Sequence, residues 1–381
     1  MKCKLSDICS FRKGKISVDG LNRSTYISTE NMLPNKCGIT EASSLPTVQL
    51  TQEYKKGDVL VSNIRPYFKK IWKATYDGGC SNDVLVFAAN SNTDKDFLYY
   101  ILANDDFFAY SMATSKGTKM PRGDKTSIMQ YEVPVMDIEL QRRIASILKS
   151  IDEKIELNNA INNNLLDQAL TLYATYFAES DKNGFIGDYC TIKSGFAFKS
   201  SWWTENGVKV IKIGSINQDN LNLAECSYVD VDKIDKAKDF KVGAGDLLIA
   251  MTGATIGKFA MVPYCTETLL VNQRVGKFFL GDNPVEKLPF IYCTLKQPDV
   301  YYEIVNRGQG SAQPNISAAD IMSIPCVIPT ADVLNTFNDT VQPLFDLIIT
   351  NQQENQRLSE LRDTLLPKLM YGELDVSDID I

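Results

Sequence analysis

Ile144-Ala145-Ser146-Ile147-Leu148-Lys149-Ser150-Ile151-Asp152-Glu153-Lys154-Ile155-Glu156-Leu157-Asn158-Asn159-Ala160-Ile161-Asn162 spaces apolar residues alternately four and three positions apart, then puts asparagine at two successive positions of the same series. The full series is Ile144, Leu148, Ile151, Ile155, Asn158, Asn162, Leu165, Ala169, Leu172, Tyr176, the 3.5-residue period of a coiled-coil seam. Adding 193 to each number gives Phe337, Val341, Leu344, Ile348, Asn351, Asn355, Leu358, Arg362, Leu365, Leu369, so the stretch occurs twice with its asparagines in step. A polar seam residue costs stability unless it finds an amide partner, and buried asparagine is best attested as a device that fixes register. Two ordinary amphipathic helices with solvated asparagines are the plain alternative, but the coincidence at both positions favours a matched pair. At ~1.5 Å per residue each seam spans roughly 50 Å, which suits a strut. Antiparallel pairing within the chain brings Asn158 and Asn162 level with Asn351 and Asn355. Pro343 stands where the first seam has Ser150, which predicts a break or kink near Gln342.

The segments before each helix also repeat. Leu5-Ser6-Asp7-Ile8-Cys9-Ser10-Phe11-Arg12-Lys13-Gly14 is answered by Ile186-Gly187-Asp188-Tyr189-Cys190-Thr191-Ile192-Lys193-Ser194-Gly195 at an offset of 181. Tyr26 to Met32 parallels Ile211 to Ile216 as a strand running into a loop. Lys56-Gly57-Asp58-Val59-Leu60-Val61 parallels Ala244-Gly245-Asp246-Leu247-Leu248-Ile249, a Gly-Asp turn entering a buried strand. The next stretches differ in chemistry: Ser62-Asn63-Ile64-Arg65-Pro66-Tyr67-Phe68-Lys69-Lys70 against Ala250-Met251-Thr252-Gly253-Ala254-Thr255-Ile256-Gly257-Lys258, and Ser81-Asn82-Asp83 against Asn272-Gln273-Arg274. Aromatic-rich runs, Phe97 to Tyr110 and Leu288 to Tyr302, read as helical core packing. Two loops follow, Lys116 to Gly123 and Arg307 to Asn315, with Gly117 and Pro121 matching Gly310 and Pro314. The chain thus reads as an α/β fold of two duplicated globular domains and two long helices. Its expected boundaries are 1–137, helix 138–181, 182–329, helix 330–370 and an acidic tail 371–381.

The chain of 381 residues, 44% hydrophobic, is long enough for more than one core. No stretch approaches the ~18 apolar residues of a membrane span, and no targeting signal follows Met1, so a cytoplasmic protein without a membrane partner is expected. Nine cysteines without a Cys-x-x-Cys pair read as reduced, mostly buried thiols. The absence of histidine removes Ser-His-Asp and Cys-His catalysis and imidazole metal ligation. The net charge of −7 argues against nucleic acid only until the chain is divided. Residues 1–137 carry 18 basic against 15 acidic side chains and 182–329 carry 15 against 15, while the helices and tail carry 7 against 17. The acidity belongs to the strut, which leaves both globular parts free to present a basic face to phosphate.

Gly253-Ala254-Thr255-Ile256-Gly257-Lys258 resembles a phosphate loop but has three residues between its glycines where a Walker loop has four, and Phe259 follows the lysine. There is no Asn-Pro-Pro or Asp-Pro-Pro run for amino-methyl transfer and no carboxylate and lysine cluster for a nuclease. No catalytic residue, cofactor site or metal site is therefore expected. What remains is a group of polar and basic side chains on loops: Arg65, Lys69, Lys70, Lys116, Lys119 and Arg122 in the first half, and Thr252, Thr255, Lys258, Gln273, Arg274, Arg307, Gln313 and Asn315 in the second. Arg and Lys suit guanine and phosphate, Asn and Gln suit adenine, and hydroxyls suit either. Tyr67 could stack on or wedge against bases. Taken singly each is an ordinary solvated side chain; the argument rests on the group.

The whole chain resembles the specificity (S) subunit of a type I restriction-modification enzyme. The resemblance is carried by the two-fold repeat, by Leu140-Gln141-Arg142-Arg143-Ile144-Ala145-Ser146-Ile147-Leu148 with Ile151 to Asn158, by Gly253 to Lys258, and by Gly308 to Asn315. It implies two target-recognition domains that each read one half of a split double-stranded DNA site. It implies two conserved helices packed antiparallel as a spacer, docking methyltransferase (M) subunits, two in number, together with restriction (R) subunits. Adenine methylation and ATP-driven cleavage would then belong to those partners. The competing expectations are a coiled-coil adaptor whose globular ends bind proteins, and a self-sufficient methyltransferase or nuclease, which the missing motifs disfavour.

Overall fold

The computed structural model describes residues 2–309 and 314–376. The chain divides into two compact units, Met1–Glu153 with Leu358–Ile381, and Lys154–Arg357. The division cuts both long helices, Ile138–Phe177 and Ala331–Met370, each 40 residues long. The first opens where the Asp137 carboxylate accepts the Leu140 N–H at 2.8 Å, satisfying one of the donors a helix start leaves free. The second runs through Pro343 without the expected break. Pro343 is exposed, so its ring meets solvent, and the carbonyl it leaves unbonded one turn earlier lies on the face that water can reach.

In the first unit a four-stranded antiparallel sheet is ordered Cys9–Phe11, Val84–Ala89, Val59–Ser62, Ile71–Lys73. Its central strands are apolar on both faces, and both faces are covered. Val59, Val61, Leu85 and Phe87 pack on the helices Lys95–Ala103 and Asp105–Ala113. Leu60, Val84 and Val86 pack instead with Ile27 and Tyr54 of a second sheet, in which Tyr26–Ile27 runs parallel to Gly78–Cys80. The aromatic run is core, as expected, with Phe97, Tyr100, Phe107 and Phe108 buried.

The second unit repeats the four-stranded sheet strand for strand, while its second sheet has five strands against four in the first unit. Its four-stranded sheet is Thr191–Ser194, Val275–Phe279, Leu247–Ala250, Phe259–Met261. Leu247, Ile249 and Phe278 face the helical core, and Leu248, Ala250 and Val275 face a second sheet. There Val208–Ile211 runs parallel to Leu269–Val271. The small features repeat as well. Asp58 and Asp246, both buried, fold back on the N–H of Lys55 (2.8 Å) and Gly243 (2.9 Å) to close the Gly-Asp turn. Arg12 and Lys277 neutralise them at 2.7 and 2.8 Å, as a buried carboxylate requires. Burial pushes the thiols of Cys9, Cys80, Cys190, Cys293 and Cys326 up to about 12, which makes them unreactive.

The seams pair antiparallel. In the second unit Asn158 Nδ2 donates to Asn355 Oδ1 at 2.9 Å, and Asn351 Nδ2 donates to Asn162 Oδ1 at 2.8 Å. Asn158 also donates to Glu354 at 2.7 Å, and Asn355 to Asn159 at 2.9 Å. In the first unit Ile144 and Leu148 pack in one core with Leu366, Leu369 and Met370. There Asp152 accepts from Arg362 and from the Tyr100 hydroxyl, both at 2.8 Å. Changing Asn158, Asn162, Asn351 and Asn355 together to Leu should raise the unfolding free energy by about 1–4 kcal/mol, because apolar packing often exceeds a buried polar network in stability. Register should blur at the same time, since the amide pairs define it. Denaturant melts combined with cysteine cross-linking along the seam would check both; a less stable variant with unchanged cross-links would count against this account.

Candidate nucleic-acid interface

In each unit three loops meet at one end of the four-stranded sheet. In the first, the Asn63 N–H donates to the Asp83 carbonyl at 2.8 Å, Arg65 N–H to Pro121 at 2.8 Å, and Gly123 N–H to Asn63 at 3.1 Å. In the second, Met251 N–H donates to Arg274 at 3.0 Å, Gly253 N–H to Pro314 at 2.9 Å, and Ile316 N–H to Met251 at 2.9 Å. These are the same three ties at the offsets the sequence repeat defines. The loops whose chemistry differs between the halves are therefore the ones the fold gathers together.

The first of the three loops is one backbone turn made from two sequences. Pro66–Phe68 and Gly253–Thr255 are matching 3-10 turns. Their corners are left-handed: Gly253 and Gly257 have φ of 72° and 82° in the second unit, and Arg65 and Lys69 have φ of 51° and 49° in the first. Gly253 to Lys258 is thus a turn motif whose glycines supply positive φ at no steric cost, and not a phosphate loop. Where Arg65 and Lys69 fill those corners the backbone is strained.

The side chains divide into committed and available groups. Lys69 pairs with Asp105 at 2.8 Å. The Lys70 ammonium donates to the Thr29 carbonyl at 2.6 Å, and burial lowers its pKa, with Glu30 opposing. Lys116 pairs with Asp124 at 2.8 Å and, with the Ser127 backbone, pulls that carboxyl down to about 2. Arg122 lies 3.2 Å from Asp83, which ties the second loop to the third. Arg307 is the most heavily engaged of the group, its guanidinium donating to Glu303 (2.8 and 3.0 Å), the Asp320 carbonyl (2.9 Å) and Ser323 (2.6 Å). It ties the helix Pro298–Gly308 to Ala318–Met322 with four of its five N–H donors. Tyr67, Lys119, Gln273, Arg274 and Asn315 are exposed, while Thr252, Thr255 and Lys258 are partly so. Thr255 Oγ1 donates to the Thr252 carbonyl at 3.1 Å, and Thr252 and Asn315 bridge their two loops. Gln313 and Gly310 lie outside the described residues.

Among the described residues three buried polar atoms at these loops have no hydrogen-bond partner: Asn63 Oδ1, Arg65 Nε and Thr252 Oγ1. Such atoms are uncommon, and in a loop cluster they mark groups held for something else. Asn63 was not among the expected residues, and its position beside Arg65 in a polar run was the available signal. Also missed were Phe68 and a basic aromatic cluster in the second unit. There the Lys199, Lys233 and Lys236 ammoniums lie 5.8, 5.8 and 5.2 Å from the Trp202 ring centre, and Lys212 lies 3.6 Å from that of Trp203. Lys199-Ser200-Ser201-Trp202-Trp203 could have been noticed as basic residues beside adjacent tryptophans.

The family described as the type I restriction modification DNA specificity domain matches residues 1–167 and again 180–361. The HindI specificity subunit of Haemophilus influenzae is 24% identical over 92% of this chain and 94% of its own length. The MjaIX specificity subunit of Methanocaldococcus jannaschii is 28% identical over 75% of this chain and 70% of its own. In fold, the crystal structure of a type I system S subunit from M. genitalium superposes with a TM-score of 0.52, covering 99% of this chain and 96% of that one at 17% identity. Among the described residues no helix is long and apolar enough to cross a membrane. With both halves matched by the family and the four-stranded sheet and its three loops present in each, the chain belongs to the family of type I restriction-modification specificity subunits and carries two DNA specificity domains.

Proposed function

We propose that each unit reads one half of a split double-stranded DNA site with its three gathered loops, and that the chain itself performs no chemistry. The observation that carries this is the repeated convergence of the loops, identical in backbone ties and different in side chains. A shared backbone frame fixes how each unit meets the duplex, and divergent loop chemistry makes the two half-sites differ. The first unit uses Arg65, Tyr67, Lys119 and Arg122, with Lys69, Lys70 and Lys116 as charge around them. The second uses Thr252, Thr255, Lys258, Gln273, Arg274, Gln313 and Asn315. The paired long helices carry two methyltransferase subunits and, with them, restriction subunits. Methylation of adenine and ATP-driven cleavage belong to those partners.

Division of labour is the test. Arg65→Ala should relax base preference in one half-site by about 1–3 kcal/mol, and Gln273→Ala with Arg274→Ala should do so in the other half-site only. Competition binding with duplexes altered in one half at a time reads this directly. If both variants weaken every duplex equally and relax no preference, these side chains grip phosphate and do not read bases.

A further inference from the structure

We infer that Tyr67 and Phe68 form a preformed wedge that the first unit inserts between stacked base pairs of its half-site, and that the second unit has no such device. The inference rests on the gathered loops being the DNA surface. Tyr67 and Phe68 are 49% and 37% exposed, and their rings touch, with centres 4.6 Å apart. Most other aromatic residues of this unit are buried or packed against its cores, so two contiguous rings left in water at a loop tip are an exception that packing does not explain.

The backbone beneath the rings is held unusually firmly. Among the described residues five non-glycine residues have positive φ, and four of them, Asn35, Lys36, Arg65 and Lys69, meet at this turn. The Asn35 N–H donates to the Phe68 carbonyl at 2.8 Å, Lys36 N–H to the Lys69 carbonyl at 2.9 Å, and Arg65 N–H to Pro121 at 2.8 Å. Strained corners persist only where their surroundings over-determine them, and they cluster at binding sites. Here they fix the tip while leaving its rings free. The surroundings suit a polyanion: Lys36 and Lys69 share the one carboxylate of Asp105, each at 2.8 Å, and Lys70 lies 5.8 Å from the Phe68 ring centre. With Arg65 added, cations outnumber carboxylates around the rings. That favours a duplex over an apolar protein surface, and an aromatic or apolar wedge beside cations is how proteins unstack a base step.

The matching turn of the second unit places Thr255 and Ile256 where the first has Tyr67 and Phe68. Ile256 is buried at 8% exposure, close under Gly308, so nothing protrudes there. The two half-sites are therefore recognised in different ways, the first with deformation of the DNA and the second without it.

The test uses the full chain with its methyltransferase subunits and duplexes carrying 2-aminopurine at successive positions of both half-sites, omitting the adenines that become methylated. A several-fold brightening should occur at one step of the first half-site and at none of the second. Tyr67→Ala with Phe68→Ala should abolish it and weaken binding roughly ten- to hundredfold, while Tyr67→Phe should keep it. Fluorescence unchanged across the first half-site of a bound complex, or brightening that survives the double substitution, would overturn the wedge. So would a double variant that binds DNA normally but loses its methyltransferase subunits, which would make the rings a protein contact. A complex that binds no DNA at all would remove the underlying reading of the loops as well, an outcome distinct from a bound complex with undisturbed stacking.

Discussion

Residues 1–178 expressed without the rest of the chain should form an antiparallel two-fold dimer and, with the methyltransferase, direct methylation to a palindrome built from the first half-site. The intact chain pairs Asn158 with Asn355 and Asn162 with Asn351. Because Asn351 and Asn355 are the repeat counterparts of Asn158 and Asn162, two copies of the first helix can pair Asn158 of each with Asn162 of the other, in a closed isologous interface. One contact does not carry over. Asp152 faces Arg362 in the intact chain, and the counterpart of Arg362 is Ala169, so the dimer leaves Asp152 without its cation at both ends. Ala169→Arg in the fragment should therefore tighten the dimer, by roughly tenfold if each restored pair contributes about 0.7 kcal/mol, within the range of partly exposed pairs. The same substitution in the intact chain should destabilise it, since Ala169 is fully buried in the second unit's core and overpacking costs about 1–3 kcal/mol. Sedimentation of both fragments and a thermal melt of both full-length proteins separate these outcomes. A fragment that stays monomeric at micromolar concentration, or one that directs methylation to a non-palindromic site, contradicts the pairing.

Gly195→Ala should abolish recognition of the second half-site while leaving the first intact. A Cβ at Gly195 would lie 2.4 Å from the Val271 carbonyl oxygen and 2.5 Å from that of Asn272. Both obstacles are backbone, so the strand end must move. The Gln273 N–H is fastened to the Phe196 carbonyl at 2.9 Å, and Phe196 N–H to Val271 at 2.8 Å, so the displacement carries Gln273 and Arg274 with it. Losing two side chain to base contacts is worth about 2–6 kcal/mol of discrimination. Duplexes scrambled in the second half should then compete as well as the intact site, while those scrambled in the first half should still compete poorly. Equal loss in both halves, or undiminished discrimination, would place recognition elsewhere in the unit.

How far these features could be seen in the sequence depended on their physical origin. The seam was visible because a coiled coil repeats its chemistry every 3.5 residues, and the four asparagines indicated antiparallel pairing because buried amides need partners. The sheets were legible through the Gly-Asp turns, whose carboxylates recur at Asp58 and Asp246 with the same backbone bond. The site was legible only as a list of loops. No sequence pattern shows that Lys69 is paired with Asp105 or that Arg307 is spent on Glu303 and Ser323, because those partners are set by tertiary packing. The left-handed corners at Arg65 and Lys69 were hidden for a related reason: glycine marks such a corner at Gly253 and Gly257, but arginine and lysine do not. Pro343 misled because proline breaks a helix by its local geometry, whereas here it lies on the solvent face of a helix held by its opposite side.

Single-molecule mapping of methylated adenines in DNA from cells carrying this chain and its partner subunits tests the central claim most directly. Two units with one frame and different loops should yield a split, non-palindromic site of two unlike halves with an unspecified spacer between them. The half assigned to the first unit should lose definition on Arg65→Ala and the other half on Gln273→Ala with Arg274→Ala. A continuous or palindromic site from the intact chain, or a split site whose two halves respond identically to both variants, would contradict it.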